Sequence, residues 1–276
     1  MMPLNPELVS SENDHQFRSL FIRWLFHNPS DTPPQKQAAA IPIPKVLVQY
    51  WHDLSAVPAD VQECIASWDS VRDEGFQRFL FDDGRAQAFI RDHFTAAHID
   101  AFERCYHPAM RCDYFRLCYI FRCGGFYVDA DEVYQGSGCE SLLKTGKLKL
   151  QPLCYDIESE VMVPPEAFLL DVTSTSERIF YVNNNPLIGP PRHKLIQYAL
   201  ERSTRILLEQ VERPAIQETT GPGNLSASLV KHAMAIRQAG ADWDFEIVPN
   251  WDRTSVCRWD LGYRNDERNW RLIGRN

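Results

Sequence analysis

The chain has 276 residues, with 29 Lys and Arg against 37 Asp and Glu and a formal net charge of −8. This length suits one large α/β domain or two smaller ones, and the acidic charge argues against nucleic acid or an anionic membrane as the main partner. No apolar run approaches the roughly 20 residues that span a bilayer, and no signal-peptide pattern is found. The sequence therefore predicts a soluble cytoplasmic protein; an exported effector and a protein peripheral to a membrane are the alternatives.

The eight cysteines are expected to be reduced and structural. They form no C-x-x-C pair, which excludes the usual zinc-ribbon spacing. A chain that can build its own core does not depend on a disulfide framework, so we expect free thiols packed as small apolar side chains.

Residues 1–40 are predicted to form an extension and a linker. A helix is expected early in this segment, and a proline-rich linker composition follows from Asn28. The apolar residues that repeat at helical spacing are Phe17, Leu20, Phe21, Trp24 and Leu25. Because the segment has few basic residues, we expect this helix to pack on the main domain rather than on a membrane or a partner.

From residue 45 onwards the sequence alternates between short apolar runs typical of buried strands and segments with helical spacing. The predicted strands cover residues 45–51, 76–81, 126–129, 147–153, 160–163, 179–182 and 245–248. The predicted helices cover residues 58–68, 86–94, 96–105, 108–122, 192–211 and 225–238. This alternation predicts an α/β fold with a mostly parallel sheet flanked by helices, in which ligands bind beyond the carboxyl ends of the strands.

The segment of residues 109–131 carries the strongest chemical signal. Asp113 and Arg116 lie three residues apart and share one face of a predicted helix. A Gly-Gly break then reverses the chain into a strand whose end carries Asp129 and Asp131. Two acids at this spacing can both reach one divalent cation, and hard oxygen ligands suit Mg²⁺ or Mn²⁺.

This segment resembles the core of the family 32 glycosyltransferases, the DXD-sugar group, and of the related glucosylating toxins. The family pattern is an Ala-x-x-Ser-Asp-x-x-Arg helix followed by Gly-Gly-x-Tyr-x-Asp-x-Asp. The matching residues are Ala109, Asp113, Arg116, Gly124, Gly125, Tyr127, Asp129 and Asp131. Cys112 stands where the family usually has Ser, and Val48 where it has His. Residues 43–51, 183–193 and 220–222 are similar to further family segments.

The resemblance implies a GT-A fold: a Rossmann-like, mostly parallel sheet in a single catalytic domain with helical additions, over residues 41–276. It also implies a metal-dependent, retaining hexosyltransferase that uses a nucleoside-diphosphate sugar and Mn²⁺ or Mg²⁺, with a UDP-sugar favoured over GDP-mannose. The acceptor stays open between a glycan, as in polysaccharide biosynthesis, a lipid-linked glycan and a protein. Neither nucleic acid nor an integral membrane segment is expected.

Site residues follow from the resemblance position by position. Asp113 and Arg116 are implied to hold the donor sugar and, with the metal ligand Asp131, to be the catalytic residues. Trp51 is implied to stack on the nucleobase, a contact worth roughly 1–3 kcal/mol in stacking systems. The full donor-binding set is Gln49, Trp51, Asp113, Arg116, Tyr127, Asp129, Asn183, Trp251 and Ser255. The metal ligands are predicted to be Asp129, Asp131 and Asn250.

The arginine-rich C-terminal tail is expected to close over the diphosphate, as the resemblance implies. Arg253 or Arg258 would then contact a phosphate, with a solvated terminus as the alternative.

Two other functions remain open. Asp129-Ala-Asp131-Glu-Val also fits the Asp-x-Asp loop of haloacid-dehalogenase-type phosphatases, with Asp129 as nucleophile and Asp131 as acid/base. That class places the loop near its N-terminus and needs a later lysine and a further acidic motif, which this sequence does not clearly supply. A catalytically inactive protein that binds sugar nucleotides is the second alternative, because a fold does not guarantee a function.

Overall fold

The computed structural model describes residues 14–28, 41–171 and 177–272. Within them the helices are α1 (His15–His27), α2 (Ala59–Ser67), α3 (Asp83–His93), α4 (Ala96–Glu103), α5 (Pro108–Cys123), α6 (Cys139–Leu143), α7 (Pro165–Leu170), α8 (Lys194–Glu209), α9 (Ile216–Thr219) and α10 (Pro222–Ala239). The strands are β1 (Val46–Tyr50), β2 (Gln77–Phe81), β3 (Gly125–Tyr127), β4 (Glu132–Tyr134), β5 (Leu148–Leu150), β6 (Pro152–Asp156), β7 (Val161–Val163), β8 (Arg178–Val182), β9 (Leu187–Gly189), β10 (Phe245–Ile247) and β11 (Ser255–Cys257).

A six-stranded sheet forms the centre of the molecule, in the order β10-β5-β9-β3-β1-β2. Strand β1 is parallel to both β2 and β3, and β5 is parallel to β10. Strand β9 is antiparallel to its neighbours β3 and β5. Two smaller antiparallel sheets, β11-β4 and β7-β6-β8, lie outside the central one. The predicted α/β fold with a mostly parallel sheet flanked by helices is confirmed.

Alternate residues of the central strands pack into different hydrophobic clusters, as the two-residue period of a strand requires. Val48 and Tyr127 belong to the large cluster that contains α1, α3, α4, α5, α8 and α10. Leu47 and Phe126 belong to a second cluster that includes Trp68 and residues of α6. Both faces of the sheet are therefore covered.

Helix α5 connects the sheet to the predicted site. The ring of His107 accepts a hydrogen bond from the Ala109 N–H (3.1 Å), and Pro108 occupies the first turn. Gly124 ends the helix with a φ of +69°, and Gly125 follows with a φ of +106°. These conformations are open to glycine and strained for other residues, so the Gly-Gly break sets where β3 begins.

The Gly125→Ala variant is expected to lower the free energy of unfolding. A Cβ on Gly125 would lie 2.7 Å from the carbonyl oxygen of Val46, in addition to the cost of the positive φ, which is about 1–3 kcal/mol. Gly136→Ala is the matched control, because its φ is +82° but its Cβ would meet nothing within 4 Å. Urea unfolding should show the larger loss for Gly125→Ala. Equal losses of unfolding free energy in the two variants would contradict the predicted clash with Val46.

Helix α1 packs on the main body of the chain, as the sequence analysis favoured. Its buried residues Phe21, Ile22, Leu25 and Phe26 belong to the large hydrophobic cluster. The Ser19 hydroxyl accepts a hydrogen bond from the N–H of Phe180 in β8 (2.9 Å). The predicted linker and the boundary at residue 40 lie outside the described residues, apart from Asn28.

Several short elements differ from the prediction. The single strand predicted over residues 147–153 is two strands, β5 in the central sheet and β6 in the three-stranded sheet. Strands β4, β9 and β11 and helices α6, α7 and α9 were not predicted, because none exceeds six residues and so none shows a full period. All eight cysteines are free thiols, as predicted. Among the described helices, none combines the length and apolar character that crossing a membrane requires.

Candidate active site

A pocket of about 290 Å³ opens beyond the carboxyl ends of β1 and β3. Because these strands are parallel neighbours, the residues that follow them meet at one edge of the sheet. Six residues predicted for the site line this pocket: Trp51, Asp113, Arg116, Asp129, Asp131 and Asn183. These six predicted residues therefore lie together around one cavity, and the contacts within it show how each group is held.

Arg116 ties the inner wall of the pocket together. Its side chain is 3% exposed, and one terminal nitrogen lies 2.8 Å from Asp129 Oδ1 and 3.0 Å from Asp113 Oδ1. The other terminal nitrogen donates to the carbonyl oxygen of Asn184 (2.8 Å), and the guanidinium lies 4.5 Å from the centre of the Tyr127 ring. This one side chain joins helix α5, the end of β3 and the loop after β8.

The carboxylate of Asp113 is buried and that of Asp129 is half-buried. Burial raises the pKa of Asp113, while Arg116 and hydrogen bonds from Asn184 (2.8 Å) and Thr220 (3.3 Å) oppose that rise. Burial also raises the pKa of Asp129, and the nearby charge of Asp131 adds to the effect. Each carboxylate is therefore costly to ionise without a nearby positive charge.

Asp131 faces the C-terminal segment. Its Oδ2 accepts a hydrogen bond from the Tyr263 hydroxyl (2.8 Å) and forms an ion pair with Arg264. The Tyr263 ring packs edge-on against Trp51, with ring centres 5.3 Å apart. The C-terminal segment thus covers the pocket, and Arg264 supplies the positive charge next to Asp131.

The arginines predicted to reach a phosphate are not those in the pocket. Arg258 pairs with Glu63 (2.9 Å) and Asp260 (3.2 Å), and Arg253 is exposed on the turn after β10. The pocket is lined instead by three arginines from the last part of the described chain: Arg264, Arg268 and Arg271. The sequence showed a basic tail, but not which of its arginines face inward, since this segment has no long element with a readable period.

Glu132 lines the pocket, although the predicted set of site residues does not include it. It is 4% exposed and accepts hydrogen bonds from Asn185 Nδ2 (2.9 Å) and the Ser255 hydroxyl. Burial raises its pKa to about 8, and the charges of Asp131 and Asp129 contribute to that rise. Its position directly after the Asp-x-Asp pair was the available signal.

Three of the predicted donor residues lie behind the pocket wall. Gln49 is buried and donates to the carbonyl oxygen of Asp129 (3.3 Å). Tyr127 is buried against the Cys112 thiol (2.8 Å), and the Ser255 hydroxyl contacts Glu132. These residues position others, and in this arrangement none of the three lines the cavity.

Trp251 and Asn250 lie away from the pocket. The Trp251 indole is 2% exposed and stacks on Trp68 in the second hydrophobic cluster, with ring centres 6.4 Å apart. A 3₁₀ turn of residues 251–253 directs the indole into that cluster, and Asn250, which caps the turn, is exposed. Neither residue accompanies Asp129 and Asp131, so the predicted third metal ligand is not beside the pair.

A separate cluster of His193, His232 and Asp244 has its potential ligand atoms within 4.8 Å of one another. The Asp244 carboxylate lies 2.8 Å from His232 Nε2 and 3.4 Å from His193 Nε2. His193 Nδ1 accepts a hydrogen bond from the Leu195 N–H. The ring proton of neutral His193 therefore lies on Nε2, which faces Asp244. A metal ion would need His193 Nε2 without its proton. We therefore interpret the cluster as a hydrogen-bonded cap on α8 rather than a metal site.

No protein-family model matches this sequence, and no curated protein sequence matches it. Among solved structures, the chain is similar to one named PaToxG Glycosyltransferase. The two share 10% sequence identity over 85% of this chain and 83% of that one, with a TM-score of 0.48.

Proposed function

We propose that this chain is a metal-dependent glycosyltransferase of the GT-A type that moves a hexose from a nucleoside-diphosphate sugar to a hydroxyl-bearing acceptor. The observation that carries the proposal is the composition of one cavity at the carboxyl ends of β1 and β3. It combines acidic, basic and aromatic groups, namely Asp113, Asp129, Asp131, Glu132, Arg264, Arg268, Arg271 and Trp51. A nucleoside diphosphate needs these three kinds of partner: a cation site, donors for its phosphates and a flat face for its base.

The acidic residues fit a hard divalent cation. Asp129 and Asp131 supply carboxylate oxygens, the ligands that Mn²⁺ and Mg²⁺ prefer. Burial raises the pKa of Asp129 and the nearby charge of Asp131 adds to that rise, an electrostatic cost that a bound cation would offset. When bound, such an ion neutralises the charge that develops on the departing diphosphate.

The basic and aromatic residues fit the rest of the donor. Arginine offers a planar fork of donors that matches phosphate oxygens, and three arginines face the pocket from the C-terminal segment. Trp51 lines the pocket, and its indole N–H is buried with no hydrogen-bond partner among the described residues. A ligand in the pocket would contact the Trp51 side chain.

The sugar is assigned to the inner wall, where Asp113 can accept hydrogen bonds from its hydroxyl groups and Arg116 holds the carboxylates in place. In the transfer, the acceptor oxygen bonds to the anomeric carbon and the bond from that carbon to the diphosphate oxygen breaks. The electron pair leaves with the nucleoside diphosphate, and the acceptor proton passes to solvent. The proposal takes retention of configuration and the preference for a UDP-sugar from the family resemblance.

A thermal-shift panel of UDP, GDP, CDP and ADP, each with and without Mn²⁺, tests the donor site. One nucleotide at about a hundred times its Kd should stabilise the protein by about 2.7 kcal/mol, and only when Mn²⁺ is present. Transfer from the matching nucleotide sugar, measured as nucleotide release, then tests the activity. A Mn²⁺-dependent shift without release would favour the inactive binding protein, and no shift with any nucleotide would contradict the proposed donor site.

The phosphatase alternative receives less support from the pocket. That chemistry needs a lysine beside the aspartyl nucleophile, and no lysine among the described residues lines the cavity. The carboxylate proposed as nucleophile, Asp129, is held by Arg116 at 2.8 Å. Stable labelling of Asp129 by beryllium fluoride would reverse this preference.

Replacing Arg264 is expected to change cation binding and nucleotide binding in opposite directions. In Arg264→Gln, Asp131 loses the guanidinium that competes with a divalent ion, so Mn²⁺ alone should bind more tightly. Nucleotide with Mn²⁺ should bind more weakly, because one phosphate partner is lost.

Calorimetric titrations of Mn²⁺ and of the nucleotide measure both effects, with Arg258→Gln as the control. Arg258 has the same charge, but its side chain pairs with Glu63 and Asp260 rather than with the pocket acids. Parallel changes in the two affinities would contradict the competition between Arg264 and the cation.

A further inference from the structure

A second cavity, of about 730 Å³, lies between α1, the β7-β6-β8 sheet and α9. It is larger than the pocket beyond β1 and β3, and its volume lies within the usual range for small-molecule sites. Gln217 of α9 lines both cavities, so the second one opens next to the proposed donor pocket. A compound bound there would be within reach of the reaction without occupying the donor's place.

One wall of this cavity is the outer face of the three-stranded sheet. Phe180 and Cys154 point into the core, whereas the alternate residues Tyr155, Ile179 and Tyr181 are partly or largely exposed on the other face. Tyr155 lies opposite Ile179 in the register of β6 and β8. Tyr155 and Tyr181 both line the cavity and offer flat apolar rings, and the Tyr181 hydroxyl donates to Met162 Sδ (3.4 Å).

The charged residues of the cavity neutralise one another. Arg18 pairs with Glu218 at 2.9 Å, and Arg178 pairs with Asp156 at 3.4 Å and with Asp171 at 3.0 Å. Because these charges already have opposite partners, the lining favours an uncharged ligand over a phosphorylated or acidic one. The remaining polar groups include the amides of Gln16 and Gln217.

We infer that the second cavity binds the acceptor, and that this acceptor is a neutral oligosaccharide. A sugar ring presents an apolar C–H face to a tyrosine and hydroxyl groups to nearby amides, which matches the lining described above. Its reacting hydroxyl would enter the donor pocket past Gln217. The inference rests on the proposed glycosyltransferase function and adds the acceptor class to it.

Saturation-transfer-difference NMR with maltotriose, cellotriose and chitotriose, each at millimolar concentration, tests the inference on the full chain. At least one sugar should receive magnetisation from the wild type, with the signal reduced at least fivefold in Tyr155→Ala. Tyr198→Ala is the matched control, because Tyr198 is also half-buried but lies in neither cavity. Gln16→Ala, at the surface of α1, gives a second and milder variant if Tyr155→Ala does not fold, and it too should weaken the signal.

The outcomes separate this inference from the proposed function. No signal from any of the three sugars, or equal signals from wild type and both cavity variants, overturns the oligosaccharide assignment and turns attention to a polypeptide acceptor. The nucleotide shift with Mn²⁺ reports the donor pocket independently. An intact shift without sugar binding contradicts only the acceptor inference, and sugar binding without a shift contradicts only the donor site.

Discussion

Asp131→Asn is expected to abolish the Mn²⁺-dependent stabilisation by nucleotide and the sugar transfer that depends on it. The substitution keeps the size of the side chain and removes the charge that now faces Arg264 and Tyr263. Under conditions where the wild type gains about 2.7 kcal/mol from ligand at a hundred times its Kd, the variant should gain almost nothing. Thermal shifts with and without Mn²⁺ measure the difference.

The control for Asp131→Asn is Asp252→Asn, which makes the same charge change at an exposed position outside the pocket lining. Without ligand, both variants should remain folded, because the repulsion between acids that Asp131→Asn relieves offsets part of the loss of its ion pair with Arg264. Full retention of the Mn²⁺-dependent shift in Asp131→Asn would show that the cation is held elsewhere or is not used.

Arg116→Ala is expected to destabilise the fold itself, by about 3–5 kcal/mol. Removing one partner of a buried ion pair leaves the other charge uncompensated, and Arg116 is the partner of both Asp113 and Asp129. The family resemblance implies a loss of turnover with little change in nucleotide binding, because it places Arg116 on the sugar. The contacts add a structural role that the motif does not reveal.

Urea unfolding of Arg116→Ala and Arg122→Ala separates this role from general effects on α5. Arg122 lies on the last turn of the same helix and is exposed, so its substitution should change the free energy of unfolding by no more than about 0.5 kcal/mol. The double variant Arg116→Ala/Asp129→Asn should recover part of the lost free energy of unfolding, because it also removes the charge of one carboxylate that has lost its partner. If Arg116→Ala unfolds at the same urea concentration as the wild type, Arg116 is not needed to hold the pocket wall.

The sequence predicted the part of the site whose geometry follows from local rules. Asp113 and Arg116 share a face of α5, and Asp129 and Asp131 follow β3, so they meet because the Gly-Gly break folds α5 back along that strand. Trp51 joins them because β1 is parallel to β3. The positions of the predicted site residues in the C-terminal segment, outside residues 109–131, depend on tertiary contacts, which a single sequence does not determine.

The C-terminal residues show this limit most clearly. Trp251 lies in the core because Trp68 offers a stacking surface from a distant part of the chain, and no local pattern marks that pairing. Arg264 faces Asp131 across 133 positions in sequence, through a segment of short turns. The run of basic residues in the tail was visible, but the partner of each arginine was set by packing.

The attachment of α1 has a consequence for handling the protein. Strand β8 pairs with β6 on one side, and on its other side the N–H groups of Phe180 and Val182 donate to the hydroxyls of Ser19 and Ser226. A chain shortened to residues 41–276 would lose Ser19 and expose an edge strand beside an apolar surface. Edges of this kind recruit strands from other molecules, so such a chain should self-associate more readily than the full one.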